Sequence, residues 1–359
     1  MRTRLWLETI ACTVLWGLTA PGTPAATDAK VSTLSSEVHR QGWIVYSALT
    51  DHGDWDLFLM RPDGSERRNI SNTPEFNELG GRFSQDGKKL LYRRISRQTK
   101  INHDVWGAMG ELVITNADGT GSTVYGQTGE FPWASWSPDG KQLACLTKSG
   151  IEVYDFATNK VLRKLDRKGI YQQLFWSPDG QWLTGTANHY GESWTVVRMN
   201  AATGEVVPVS KFQNCTPDWF PDSKRLIYSS RPANQEDDPK LIQGVGQKAG
   251  YGWTQLWMAN GDGSERSLVY GEDGRHVYGG ALSPDGHYVI FTRSPVDGGL
   301  GIGDKGAPMA LIRLADAPTI GGESKALRKL HPHTKDGPVL SLPDGWEPHW
   351  TYAEIPGSK

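Results

Sequence analysis

The residues of this chain best suited to chemistry are histidines set among carboxylates and aromatic rings. They fall at Asp51-His52-Gly53-Asp54-Trp55, Asn102-His103-Asp104-Val105-Trp106, Asn188-His189-Tyr190, Arg275-His276-Val277-Tyr278, His331-Pro332-His333 and His349. Imidazole titrates near neutrality and is the commonest side-chain ligand of transition metals, so gathered histidines would hold a divalent metal or an acidic sugar. No His-x-x-x-His or Cys-x-x-Cys pair occurs, so a metal site would need distant loops brought together by the fold. The competing reading is that each histidine bonds only to backbone or water. His103 with Asp104 and Trp106 is the best constellation for a polar ligand, because a sugar ring offers an apolar face to an aromatic and a polar edge to donors. Trp55 and Trp106 would serve equally well as pins for long loops.

Arg93, Arg94 and Arg231 could each clasp a carboxylate through two parallel N–H bonds, or form surface salt bridges. Asp51, Asp54 and Asp56 lack the Asp-x-Asp-x-Asp-Gly register of a calcium loop. No Gly-x-Ser-x-Gly elbow and no Gly-Lys-Ser/Thr phosphate loop is present, which argues against serine hydrolases and nucleotide-binding P-loops. Two long stretches, Ser230 to Gly252 and the glycine-rich Val296 to Gly303, read as rim loops.

What must position these groups is a repeated hairpin. Trp136-Ser137-Pro138-Asp139-Gly140 has relatives at Phe83-Ser84-Gln85-Asp86-Gly87, Trp176-Ser177-Pro178-Asp179-Gly180, Trp219-Phe220-Pro221-Asp222-Ser223 and Leu282-Ser283-Pro284-Asp285-Gly286. Proline presets φ, aspartate bonds its own backbone, and glycine accepts the left-handed conformation that lets the next strand begin. Ser223 in the glycine position predicts a strained or altered turn. Recurrence at intervals of roughly 40 to 60 residues is the mark of a propeller or solenoid. Around each turn the apolar residues alternate as in half-buried strands. The pattern reads as strand, turn, strand, loop, strand, second turn and outer strand.

The stretch 43–71 is a repeat without its beginning, and Glu347-Pro348-His349-Trp350-Thr351-Tyr352 supplies a matching inner strand. The reading is an all-β, six-bladed β-propeller whose first blade is closed by the C-terminal strand, which leaves no open ring edge. The sixth outer strand is expected near Ala326 to Leu330. Leu342-Pro343-Asp344-Gly345 is expected to be a loop, because Pro348 would interrupt a following strand.

With 37% hydrophobic and 10% aromatic residues and 42 Gly, 21 Pro and 15 Trp, the composition suits many short strands. The net charge of −2 gives no field for nucleic acid. Residues 1–25 combine Arg2 and Arg4, an apolar run and a small-residue end, as in a cleavable signal peptide. The run is too short to span a bilayer. The organisation expected is signal peptide 1–25, polar leader 26–42, propeller 43–353 and tail 354–359. Cys145 and Cys215 are expected to be buried free thiols.

The five turn copies, paired with "apolar strand-Ala-Asp-Gly" as in Asn116-Ala117-Asp118-Gly119-Thr120, resemble the Pro-Asp-type repeat of TolB-like propellers across residues 43 to 353. That resemblance implies a six-bladed, periplasmic or secreted propeller of a kind used for protein interaction or carbohydrate-related work. In such a ring the loops after the second strand and between blades share one face. The expectation is a non-catalytic module binding a protein or glycan there, with His52, His103, Asp104, Trp106, His189, Arg231, His276 and His333 as contacts. No cofactor motif is present, and a divalent metal is the one cofactor these groups admit. The alternative is a metal-assisted lyase, since oligogalacturonate lyases look similar in building a propeller from these repeats around a histidine-bound metal.

Overall fold

The computed structural model describes residues 26–101, 109–126, 131, 133–190, 194–210, 213–230, 254–272, 275–294, 307–314, 320–321 and 337–355. After helix α1 (Ala26–Val38) they form antiparallel strands. β1 (Trp43–Leu49), β2 (Trp55–Met60) and β3 (Arg68–Asn69) pair in sequence. Three four-stranded sheets follow. They comprise β4 (Phe76–Phe83) to β7 (Thr123–Tyr125) through β5 (Lys89–Ser96) and β6 (Glu111–Asn116); β8 (Trp133–Trp136) to β11 (Lys160–Leu165) through β9 (Gln142–Thr147) and β10 (Gly150–Asp155); and β12 (Ile170–Trp176) to β15 (Val206–Pro208) through β13 (Trp182–Ala187) and β14 (Thr195–Asn200).

The next sheet runs β16 (Asn214–Trp219), β17 (Arg225–Ser230), β18 (Gln255–Asn260) and β19 (Ser267–Tyr270), and gains β23 (Ile320–Gly321) on its outer edge. Finally β20 (Val277–Leu282), β21 (Tyr288–Arg293) and β22 (Ala307–Arg313) join β24 (Val339–Thr351), which also pairs with β1.

The Ser-Pro-Asp-Gly motif closes itself by side-chain bonds. Ser137 Oγ donates to Asp139 Oδ1 at 2.6 Å and accepts the Gln142 N–H at 2.9 Å, while Asp139 Oδ1 also accepts the Lys141 N–H at 3.0 Å. Gly140 at φ 69° donates to the Ser137 carbonyl. Ser223 takes the same left-handed conformation at φ 58° and keeps the matching bond to the Phe220 carbonyl. The turn is therefore not reshaped. Its hydroxyl accepts the Asp179 N–H at 2.9 Å, linking it to the turn of the neighbouring sheet, which offsets the cost of a left-handed non-glycine residue. Ser223→Ala keeps the strain and loses the bond, so it should cost about 1 kcal/mol in urea melts, whereas Ser223→Gly should be near neutral.

Two expectations are corrected here. The segment 26–42, expected as a polar leader, carries α1, whose Leu34 and Val38 are fully buried against β1, β22 and β24 with Val31 packed beside them, a spacing of i, i+3 and i+7 on one helix face. Glu37 accepts the Tyr288 hydroxyl and pairs with Arg313, which holds its carboxyl below the usual range, chiefly through the arginine bond. Leu342 to Gly345 is strand, not loop. The ladder of β22 with β24 shifts register at Pro343, and the ladder of β1 with β24 shifts at Glu347 and Pro348. Each proline thus sits in a bulge, where a missing N–H breaks no ladder bond. The expected outer strand at 326–330 lies outside the described residues; β22 pairs instead with 339–345.

Apolar clusters fill the space between consecutive sheets. Trp43, Leu57, Phe83 and Tyr92 meet between the first two, Leu91, Trp136 and Cys145 between the next, and Trp133, Leu146, Leu174 and Val197 after that. Leu226 and Trp257 pack on Val196, Ile227 and Leu256 on Val289, and Ile290 and Met309 on Tyr46 and Trp350. Cys145 and Cys215 are free thiols, the first buried as expected and the second only half-buried.

Candidate functional site

Five inner strands carry a residue with positive φ four positions ahead of the turn: Gly80, Gln173, Thr216, Gly279 and Glu347. The ladders shift register there. A bulge bends its strand and re-aims the side chains after it. The residues two positions further on are Arg82, Phe175, Asp218, Ala281 and His349, with Ser135 in the same place on β8, and together they line one channel. Its narrow part, of about 40 Å³, is also walled by Trp133, Gln173, Thr216 and Glu347. On the side of the Ser-Pro-Asp-Gly turns it widens into a mouth of about 420 Å³, rimmed by Phe83, Trp136, Trp176, Trp219, Trp350 and Tyr352.

The acids and bases of the wall are already engaged. Arg93 donates to both carboxylate oxygens of Glu347, at 3.0 and 3.2 Å, and its guanidinium lies 4.3 Å from the Trp133 ring centre. Asp218 accepts the Leu282 N–H at 2.8 Å and the Trp219 N–H at 2.9 Å. Burial nonetheless pushes its carboxyl up to about 6 against those bonds and the Arg82 charge. His349 Nδ1 accepts the Phe83 N–H at 3.1 Å, which places the proton of the neutral ring on Nε2. Burial, helped by the Arg82 charge, pushes its imidazole down to about 3. Arg82 Nη1 donates to the carbonyls of Gly81 and Glu347, at 2.8 and 3.0 Å.

These two groups give opposite pH signatures. The Asp218 carboxyl titrates higher in the folded chain than in the unfolded one, so the stability it contributes is complete below about pH 4 and lost as pH rises through about 6. The His349 ring titrates lower when folded, so its contribution is present above about pH 6.5 and lost as pH falls toward about 3. Side-chain NMR titration should place the Asp218 midpoint near 6 and find His349 neutral at pH 5; a protonated His349 at pH 5 would show an open, solvated ring.

The predicted contacts fare differently. His103, Asp104, Trp106, Arg231 and His333 lie outside the described residues. His52 and His189 are exposed, at the ends of β1 and β13 away from the turns; the His52 carbonyl accepts a bond from Arg97. His276 is fully buried, with Nδ1 bonded to the backbone N–H and the hydroxyl of Thr254, each at 2.9 Å, so it ties β20 to the start of β18. Trp55 is a core residue beside Leu79, Ile95 and Trp346. Arg93 does clasp a carboxylate with two bonds, but one of its own chain, and Arg94 pairs with Glu111. Asp51 is exposed, Asp54 accepts the Thr50 hydroxyl, and Asp56 is buried beside Asn69, so the three do not converge.

Of the channel residues only His349 was singled out, and it was expected on the loop-rich face; the others were missed because attention fell on that face. Their signal was present: the residue two before each turn serine, or its equivalent, is Arg82, Ser135, Phe175, Asp218, Ala281 and His349.

Antiparallel sheets whose inner strands share one channel define a β-propeller. No family model matches the sequence. The Tol-Pal system protein TolB of Francisella tularensis subsp. holarctica is 30% identical over 122 residues, 32% of this chain and 27% of that protein, so the match spans about a quarter of the curated relative's length. A chain of a nidogen/laminin complex is similar at TM-score 0.53 and 12% identity, over 86% of this chain and 98% of that one. A structure assigned as TolB from Agrobacterium tumefaciens aligns at TM-score 0.49 and 17% identity, over 79% and 88%. Over the 122 residues of the curated match the chain is similar to the TolB-like propellers.

Proposed function

We propose that the protein is an exported, non-catalytic propeller of six blades, closed by its C-terminal strand, that binds a protein partner at the channel mouth. Five apolar clusters between consecutive sheets, and a further one that joins β22 to β1 across β24 within one sheet, support the closed ring, as does the double pairing of β24. The signal-like N-terminal sequence supports export to the periplasm or outside the cell. The observation that carries the binding role is that Glu347, Asp218 and Nδ1 of His349 are each bonded within the wall. Side chains fixed in this way present a preformed binding surface. Exposed His52 and His189 keep the opposite face as a second contact surface for protein or glycan in this reading, and His103, Asp104, Trp106, Arg231 and His333 stay proposed contacts from the sequence.

The test uses the chain from residue 26 with a photo-crosslinker in place of exposed Tyr352 at the mouth, added to cell-envelope extract, beside an assay with oligogalacturonate and divalent ions. A discrete protein adduct and no unsaturated product are expected. Metal-dependent growth of unsaturated-product absorbance would overturn the non-catalytic reading in favour of a lyase.

A further inference from the structure

We infer that the mouth is a receptor for a carboxylate carried on an apolar stem, held by the Arg82 guanidinium and the Nε2–H of His349 where the wide and narrow cavities meet. This rests on the binding role proposed above and names its chemistry. Arg82, Phe175, Asp218 and His349 are shared by both cavities, so they form the floor a ligand entering from the turn side would reach. Arg82 spends Nη1 on two carbonyls, which fixes the guanidinium while leaving Nη2 and Nε for a ligand. Its charge centre lies 5.1 Å from the Phe175 ring centre. Among the described residues no carboxylate stands in ion-pair contact with Arg82, in contrast to Arg93 beside it, which is paired with Glu347. A fixed guanidinium with Nε–H and an Nη2–H side by side is matched by the planar, bidentate acceptor of a carboxylate. His349 adds a neutral donor, since its other nitrogen is occupied by the Phe83 N–H.

The walls decide what carries that carboxylate. The serine hydroxyls at the mouth are used internally: Ser84, Ser137 and Ser283 bond their own turn aspartates, and Ser135 accepts the Trp176 N–H. A saccharide would bury many hydroxyls against partners already taken, which is costly. A peptide stem needs only the aromatic rim of Trp136, Trp176, Trp219 and Trp350. The floor stops at about 40 Å³, room for water but not for a chain. The ligand is therefore the end or acidic side chain of a partner protein's extended segment, seated without threading.

The experiment titrates the full chain from residue 26 with three acetylated tripeptides of apolar sequence: one ending in a free carboxylate, one ending in a glutamate amide, and a glutamine-amide control. Calorimetry is paired with NMR of the Arg82 Nε–Hε resonance. One of the acids should bind at least about ten-fold more tightly than the control and shift the Arg82 resonance; which acid does so distinguishes a chain terminus from a side chain. Arg82→Gln should remove that preference. Equal binding of acids and control, or an unmoved Arg82 resonance on addition of the acids, overturns the proposal, and the resonance decides it even if Arg82→Gln does not fold. Tighter binding of oligogalacturonate than of either acid overturns the peptide stem. A Tyr352 cross-link that persists in Arg82→Gln alongside equal peptide binding would leave the protein-binding role standing and remove only the carboxylate anchor.

Discussion

A chain lacking residues 339–359 should have no cooperative thermal transition and should elute from a sizing column as aggregate. Those residues include all of β24, which pairs with β22 through Val339–Gly345 and with β1 through Trp346–Thr351. Their removal exposes two strand edges at once, the arrangement that invites edge-to-edge association. It also strips Leu340, Leu342, Trp346, Trp350 and Ile355 from the core. At about 1.5–3 kcal/mol per large apolar side chain, that loss alone rivals the roughly 5–15 kcal/mol by which a domain is stable. Helix α1 would suffer too, since Leu34 and Val38 pack in the cluster that holds Trp350. Adding the excised segment as a peptide should restore a monomer with strand-rich circular dichroism. A truncated chain that stays monomeric and melts cooperatively would show that the ring does not depend on this strand.

Glu347→Gln should cost about 3–5 kcal/mol. Arg93 and Glu347 are both nearly fully buried, with side-chain exposures of 3% and 4%, so removing the carboxylate charge strands a guanidinium between Trp133 and the bulge of β24. Arg93→Met should be comparably harmful. The double variant Arg93→Met/Glu347→Gln should lose much less than the sum of the two, because it leaves no unpaired buried charge. Urea melts of the four proteins make the cycle. Additive losses would mean that each side chain acts on its own. The Glu347 carbonyl also holds Arg82, so the single glutamate variant should broaden the Arg82 resonance as well as lower stability.

Much of the architecture was legible because propeller repeats are local. Each turn is specified within five or six residues, as the bonds among Ser137, Asp139 and Gln142 show, and strand alternation follows from burial on two faces. The pairing of the C-terminal strand with β1 could also be read, since Trp350 stands where Trp136 does. Proline misled the reading at Leu342 to Gly345, because no local rule says that a bulge will absorb it; that depends on the register of β22 and β1. The helix at 26–38 was missed for a similar reason. Val31, Leu34 and Val38 make a thin apolar stripe whose value appears only once β22 and β24 offer a surface.

The site divides along the same line. Residue types and spacing determined the hairpin units, their turns and the exposed stretches at His52 and His189. Only the tertiary structure decided that His276 is a buried tie to Thr254, that Arg93 is satisfied by a glutamate 254 positions away, and that Arg82, Asp218 and His349 share one channel. The physical reason is that a turn is stabilised by neighbours in sequence, whereas the charge state and exposure of a channel residue are set by what five other strands bring to the same axis.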